Sequence, residues 1–137
     1  LKIRYKRPDN KNALSLIEAA KKDMEFTLSM EVSEASGPTI VRNIHECFRK
    51  LGDALLIMQG IESEDHVAPI RELMKVKAET ARPISLLDNL RRMRININYY
   101  GYKPSLDEVK EAISIAKSVF EPLLKAVSEK AHRTRKI

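Results

Sequence analysis

Thirteen consecutive residues, Leu90 to Tyr102, hold most of the side chains that could do chemistry. They include the arginines Arg91, Arg92 and Arg94, the asparagines Asn96 and Asn98, and the tyrosines Tyr99, Tyr100 and Tyr102. A guanidinium forks onto the oxygens of a phosphate and keeps its charge at any physiological pH. A tyrosine ring can stack on a nucleic-acid base, or it can close the end of a helix bundle with its hydroxyl in water. Other catalytic patterns are missing from the chain. There is no glycine-rich phosphate loop, no His-Glu-x-x-His pair and no Gly-x-Ser-x-Gly elbow. The histidines His45, His66 and His132 stand far apart, and Cys47 is the single cysteine. No metal site and no cofactor are therefore expected. His66, beside Glu64 and Asp65, reads as a capping or packing residue, and His132 as solvated.

Helical arithmetic says which of these groups point inward. At roughly 100° per residue, with Leu90 at the centre of an apolar stripe, Leu87 falls at about 60°, Ile97 at about −20° and Met93 at about −60°. Arg94 falls at about 40°, inside the apolar arc, with Asn98 and Arg91 on its edge at about 80° and 100°. Burying a guanidinium is costly unless it is paired. Two solutions stay open: a carboxylate from a neighbouring helix, Glu46 or Asp53, or an anionic ligand in a groove.

These residues need a scaffold, and spacings of three and four run through almost the whole chain. A first helix is expected from Asn12 to Val32, on Ala13, Ile17, Ala20, Met24 and Leu28. A second begins near Pro38, carries Ile40, Ile44, Cys47, Phe48, Leu51, Leu55 and Met58, and ends at Gly60. A third runs from Glu64 to Lys77, with Ser63 as its cap and Pro69 as a kink. The fourth starts at Pro83 and is stopped by Gly101 and Pro104. The fifth opens on a capping box, Ser105-x-x-Glu108, and buries Val109, Ala112, Ile113, Ala116, Val119, Phe120, Leu123 and Val127, with Pro122 late in its length. The reading is all-α: a five-helix antiparallel bundle with no sheet, in a single domain over residues 1–137 whose core spans about 12–130.

Composition agrees and narrows the class. With 137 residues, 43% of them hydrophobic and 32% charged, the chain is globular in type. No apolar run approaches the roughly 20 residues of a membrane span, so no membrane is expected, and the cytoplasm is the expected compartment. The net charge of +6 sits in the ends: residues 1–11 and 125–137 each carry five Lys/Arg against one acid. The simplest reading makes them solvated tails, and the other makes them a loose hold on an acidic polymer.

Two stretches give the chain a family likeness. The second-helix run Ile44-His45-Glu46-Cys47-Phe48-Arg49-Lys50-Leu51-Gly52-Asp53-Ala54-Leu55-Leu56 and the segment Leu90 to Tyr102, with the helix order between Asn12 and Lys130, resemble HEPN domains. These are small all-helical domains of prokaryotic toxin–antitoxin, defence and nucleotidyltransferase-associated systems. The resemblance implies a homodimer. In active members it also implies a metal-independent ribonuclease, in which an arginine and a histidine help the RNA 2′-hydroxyl attack its own phosphodiester. The signature is an arginine, four to six residues, then the histidine, often with asparagine directly after the arginine. Arg94 matches the arginine, Ile95 replaces the asparagine, and Tyr99 stands where the histidine is expected. A phenol with a pKa of about 10 is a poor general base at neutral pH beside an imidazole of about 6.5.

The expected function is binding of RNA or nucleotide phosphates in a groove around Arg94, with Arg91, Asn98 and Tyr102 as further ligands. Catalysis through Arg94 and Tyr99 is expected to be weak or lost. One alternative is an active ribonuclease that recruits His45, which borders the buried face of its helix. The other is an interaction module for a nucleotidyltransferase. In part of the nucleotidyltransferase-associated group a tyrosine just past the histidine position accepts a nucleotide, which makes Tyr102 or Tyr100 a modification candidate by resemblance. An unbroken helix sets Arg94 and Tyr99 about 140° apart, so a shared site needs an early helix end or a second wall.

Overall fold

A computed structural model describes residues 3–65 and 67–135. Its elements, in order, are strand β1 (Ile3–Tyr5), helix α1 (Asn10–Leu28), helix α2 (Gly37–Met58), strand β2 (Ile61–Ser63), helix α3 (Val67–Met74), a 3-10 turn (Ile84–Leu86), helix α4 (Leu87–Tyr100) and helix α5 (Leu106–Arg135). The five expected helices are present. Helix α2 is the centre: it packs against α1, α3, α4 and α5. Its apolar stripe is buried as the spacing requires, including Ile40, Ile44, Cys47, Phe48, Leu51 and Leu55. The rings of Phe48 and Phe120 meet edge to face at 5.4 Å and tie α2 to α5.

The helix ends follow local chemistry. Asp9 caps α1, its Oδ1 accepting from the amide of Asn12 at 3.0 Å. That helix stops at Leu28, four residues before the expected end at Val32, because Ser29 closes it: the hydroxyl donates to the Phe26 carbonyl at 2.6 Å. The capping box of α5 forms, with the Ser105 amide donating to Glu108 at 2.9 Å and the Glu108 amide donating to Ser105 Oγ at 3.2 Å. Gly60 and Gly101 take positive φ, 75° and 62°, and end their helices. Pro122 lies inside α5 without ending it.

Three expectations are corrected. The fold contains a small antiparallel ribbon, β1 with β2, in the register Ile3↔Ser63, Arg4↔Glu62, Tyr5↔Ile61. Its strands are three residues long, too short to show the alternation by which strands are read. Helix α3 is shorter than the expected Glu64–Lys77, and its cap is not Ser63. Asp65 Oδ1 accepts from the amides of Val67 and Ala68, both at 2.9 Å, because a carboxylate two residues later reaches both orphan donors. The basic ends are not simple tails. Arg4 pairs with Glu64 at 3.6 Å and Lys6 pairs with Glu62 across the ribbon, while residues 125–135 belong to α5. His132 is exposed, as expected, and His66 lies outside the described residues.

Candidate functional site

Helix α4 is held from both sides before its polar face is reached. Ahead of it, Arg82 clamps the incoming loop to α5 by a two-pronged pair with Glu111, and donates to Ser114 Oγ at 3.0 Å. Leu87, Leu90 and Ile97 are buried, which sets the rotation of the helix as the angular reading requires. Behind it, Gly101 turns the chain, and the Tyr102 amide donates back to the Asn96 carbonyl at 3.0 Å.

The rotation puts Arg94 at a half-buried position, where it is engaged with the rest of the protein. Glu46 and Asp53, the two carboxylates considered for it, both pair with Arg49 on their own helix, at 2.9 Å and 3.6 Å. Arg91 sits one turn before Arg94. Its Nε donates to Asp88 Oδ1 at 2.9 Å, and Arg92 reaches Asp88 Oδ2 at 2.6 Å. The Arg91 hydrogen bond holds the Asp88 carboxyl below the usual carboxylate range, with Arg92 adding to it. The terminal nitrogens of Arg91 donate to no described residue, so Asp88 orients a guanidinium whose outer fork is uncommitted.

The tyrosines and Asn98 lie further out. Asn98, Tyr99 and Tyr100 are exposed, the two rings by 68% and 78%. Tyr102 is exposed too, but its hydroxyl donates to Glu108. That bond raises the Tyr102 phenol above its ordinary value, and Glu108 is lowered first by the Ser105 amide and then by Tyr102. Helix α4 continues unbroken through Tyr100, so Arg94 and Tyr99 stay about 140° apart around its axis. The early helix end that would bring them together does not occur. His45 is 1% exposed and engaged within the fold, so its imidazole reaches no bulk solvent.

Cavities form elsewhere. Five cavities among the described residues are lined by residues of other elements. One cavity lies instead beside Arg49 and Asp53, of which the sequence suggested only Asp53, as a partner for Arg94. Burial pushes the Asp53 carboxyl from 3.8 up to about 6, against the pull of Arg49. No spacing rule signals that cavity, because its walls come from two stretches, residues 6–16 and 49–63, that are far apart in sequence. Among the described residues no group of three or more His, Cys, Asp or Glu gathers to hold a metal ion. No helix among them is long and apolar enough to cross a membrane.

The architecture is a five-helix bundle with one small ribbon, and the comparison with protein families places it. The HEPN domain model matches residues 11–127, most of the chain, and the chain belongs to the HEPN domain family. No curated protein and no solved structure matches it. Membership suggests a nucleotide- or RNA-related or toxin–antitoxin-type function, and domains of this family often dimerise.

Proposed function

We propose that this protein binds RNA or nucleotide phosphates on the α4 face, through Arg91 and Arg94 with Asn98 and Tyr102 beside them, and that it cleaves RNA weakly or not at all. The observation that carries the reading is the Asp88-oriented fork of Arg91, uncommitted at its terminal nitrogens, one turn from Arg94. A pre-oriented guanidinium loses little freedom when a phosphate arrives. The exposed rings of Tyr99 and Tyr100 lie at the end of the same helix and offer stacking surfaces. Family membership favours a homodimer, with a second copy set against the α4 face as an isologous contact, and the cytoplasm is the compartment this reading assigns it. That arrangement also gives Tyr99 a way to face an Arg94, across the interface rather than along one helix.

The test is binding of a short single-stranded RNA and of ATP at low salt, read by fluorescence polarisation and calorimetry. Affinity is expected to fall with salt, with a log–log slope of about −0.7 per phosphate contact. Arg91→Ala and Arg94→Ala each reduce affinity, by about tenfold if one charge-assisted contact is lost. The basic ends are controlled by Arg7→Gln, Lys11→Gln and Arg133→Gln, since truncation would remove the ribbon and the α1 cap. If the double substitution at Arg91 and Arg94 leaves affinity unchanged, the reading fails. Loss of a histidine base removes a factor of about 10²–10⁴, so RNA incubated without metal should stay intact. Cleavage abolished by Tyr99→Phe or His45→Ala would establish the active-ribonuclease reading instead.

A second reading has one observation in its favour. The Tyr102 hydroxyl donates to the Glu108 carboxylate, which would take its proton as the phenol oxygen attacks the α-phosphate of ATP held by a partner nucleotidyltransferase and pyrophosphate leaves. Mass spectrometry after incubation with such an enzyme and ATP reads it out, and an adduct lost in Tyr102→Phe supports it.

A further inference from the structure

The cavity beside Asp53 has a volume of about 460 Å³, within the range of small-molecule sites. Its walls come from three places: residues 6–12 on their way into α1, the Arg49–Asp53–Ile57 face of α2, and β2 with Gly60 before it. Backbone bonds build that enclosure. The Lys6 amide donates to the Gly60 carbonyl at 2.6 Å, and the Asp9 amide to the Ile57 carbonyl at 3.2 Å. A Cβ at Gly60 would stand 2.3 Å from the Lys6 carbonyl oxygen, so the wall closes only over a glycine.

Several charges around the cavity are already satisfied. Lys6 is paired with Glu62, Asp9 accepts from the Asn12 amide, and one terminal nitrogen of Arg49 donates to Glu46. Asp65, from the segment after β2, is bound by the first amides of α3. Three groups are left over. The Asp53 carboxylate accepts a hydrogen bond from no described residue, and its distance to Arg49 Nε, 3.6 Å, is an ion pair but not a hydrogen bond. The Arg49 Nε–H is buried and has no acceptor. The guanidinium of Arg7, on the opposite wall, is exposed to water and pairs with no described residue. Leu16, Ile57 and Ile61 supply apolar lining.

We propose that this cavity binds a free α-amino acid with an aliphatic side chain, its ammonium on Asp53 and its carboxylate on Arg7 and the Nε–H of Arg49. Asp53 and the Arg49 Nε–H form an ion pair at 3.6 Å but each has hydrogen-bonding capacity left over, and that closeness matches opposite charges on one α-carbon rather than at two ends of a long chain. An ammonium supplies the donors that Asp53 lacks, and the ligand carboxylate supplies the acceptor that Arg49 lacks. Leu16, Ile57 and Ile61 then cover the aliphatic side chain. Asp53 titrates inside the working range, so the ammonium is held above about pH 6 and released below it. Of the charged groups around it, Arg49 and Glu46 on α2, Glu62 and Asp65 beyond it, and Lys6 and Asp9 on the facing wall are paired or fixed as described, and Arg7 is the one left to the ligand carboxylate.

The site is independent of the α4 face, so it stands or falls by its own experiment. Titration calorimetry and saturation-transfer NMR on the full chain would use L-leucine as probe, with L-leucinamide lacking the carboxylate and 4-methylpentanoate lacking the amine. L-leucine is expected to bind at least about tenfold more tightly than either analogue near pH 7.5, and more weakly near pH 5. Asp53→Asn and Arg7→Gln, checked for fold by circular dichroism, each lower the affinity by at least about tenfold. No saturable binding of L-leucine up to about 10 mM overturns the proposal, as does equal binding of L-leucinamide or an unchanged affinity in folded Asp53→Asn.

Discussion

Asp53→Asn removes a charge that the fold holds at a cost, and the cost can be worked out from the site. Burial lifts the carboxyl from 3.8 to about 6 even though Arg49 pulls the other way. The native state therefore binds the proton more tightly than the unfolded chain does. The ionised form costs stability at every pH above about 6, and that cost disappears as the pH falls through 6 toward 3.8. The displacement is worth at most about 3 kcal/mol, and solvent at the cavity mouth brings it to about 1–3 kcal/mol. Asparagine has nearly the same shape and no charge, so the variant should be more stable than the parent above neutrality. Each kcal/mol moves the melting temperature of a domain this size by about 3–5 °C. Thermal melts by circular dichroism should thus show Asp53→Asn higher by about 3–15 °C near pH 8, with most of the gap gone near pH 4. A variant that melts lower than the parent near pH 8 would falsify this account, and would mean that the pair with Arg49 outweighs desolvation. A gap that is the same at both pH values would equally sink it, since only a titrating charge gives the difference its slope.

Three further outcomes follow from contacts elsewhere. Gly52→Ala should cost at least about 2 kcal/mol in urea denaturation, because its Cβ would stand 2.0 Å from the Pro69 carbonyl oxygen where α2 and α3 touch; an unchanged midpoint would show that the helices can separate cheaply. Ser105→Ala should cost about 1 kcal/mol by the same measurement, through loss of the cap that α5 shares with Glu108. Cys47 is 1% exposed and its thiol is pushed up to about 12, chiefly by burial, so it should resist alkylation near pH 8 until denaturant is added. Rapid labelling of the folded protein would contradict its burial.

The sequence by itself determined the features that follow from neighbours a few residues apart. Helix positions rest on apolar side chains three and four apart, and Ile40, Ile44, Phe48, Leu51 and Leu55 are buried as that spacing demands. The capping box at Ser105 and Glu108, the left-handed glycines at 60 and 101, and the rotation of α4 that half-buries Arg94 are local in the same sense. The family likeness in two short stretches was legible for that reason, and the match over residues 11–127 agrees with it. Only the tertiary structure decided what distant segments do to one another. Strands of three residues have no period to detect, so the ribbon between Ile3–Tyr5 and Ile61–Ser63 exists only because the chain brings them together. Arg94 and Arg49 look alike in sequence, yet Arg49 is the one that takes both Glu46 and Asp53, because those carboxylates lie three and four residues away on its own helix. The raised Asp53 carboxyl and its cavity depend on residues 6–12 folding back over α2. Desolvation is set by whichever segments cover a group in space, and one-dimensional spacing carries no record of them.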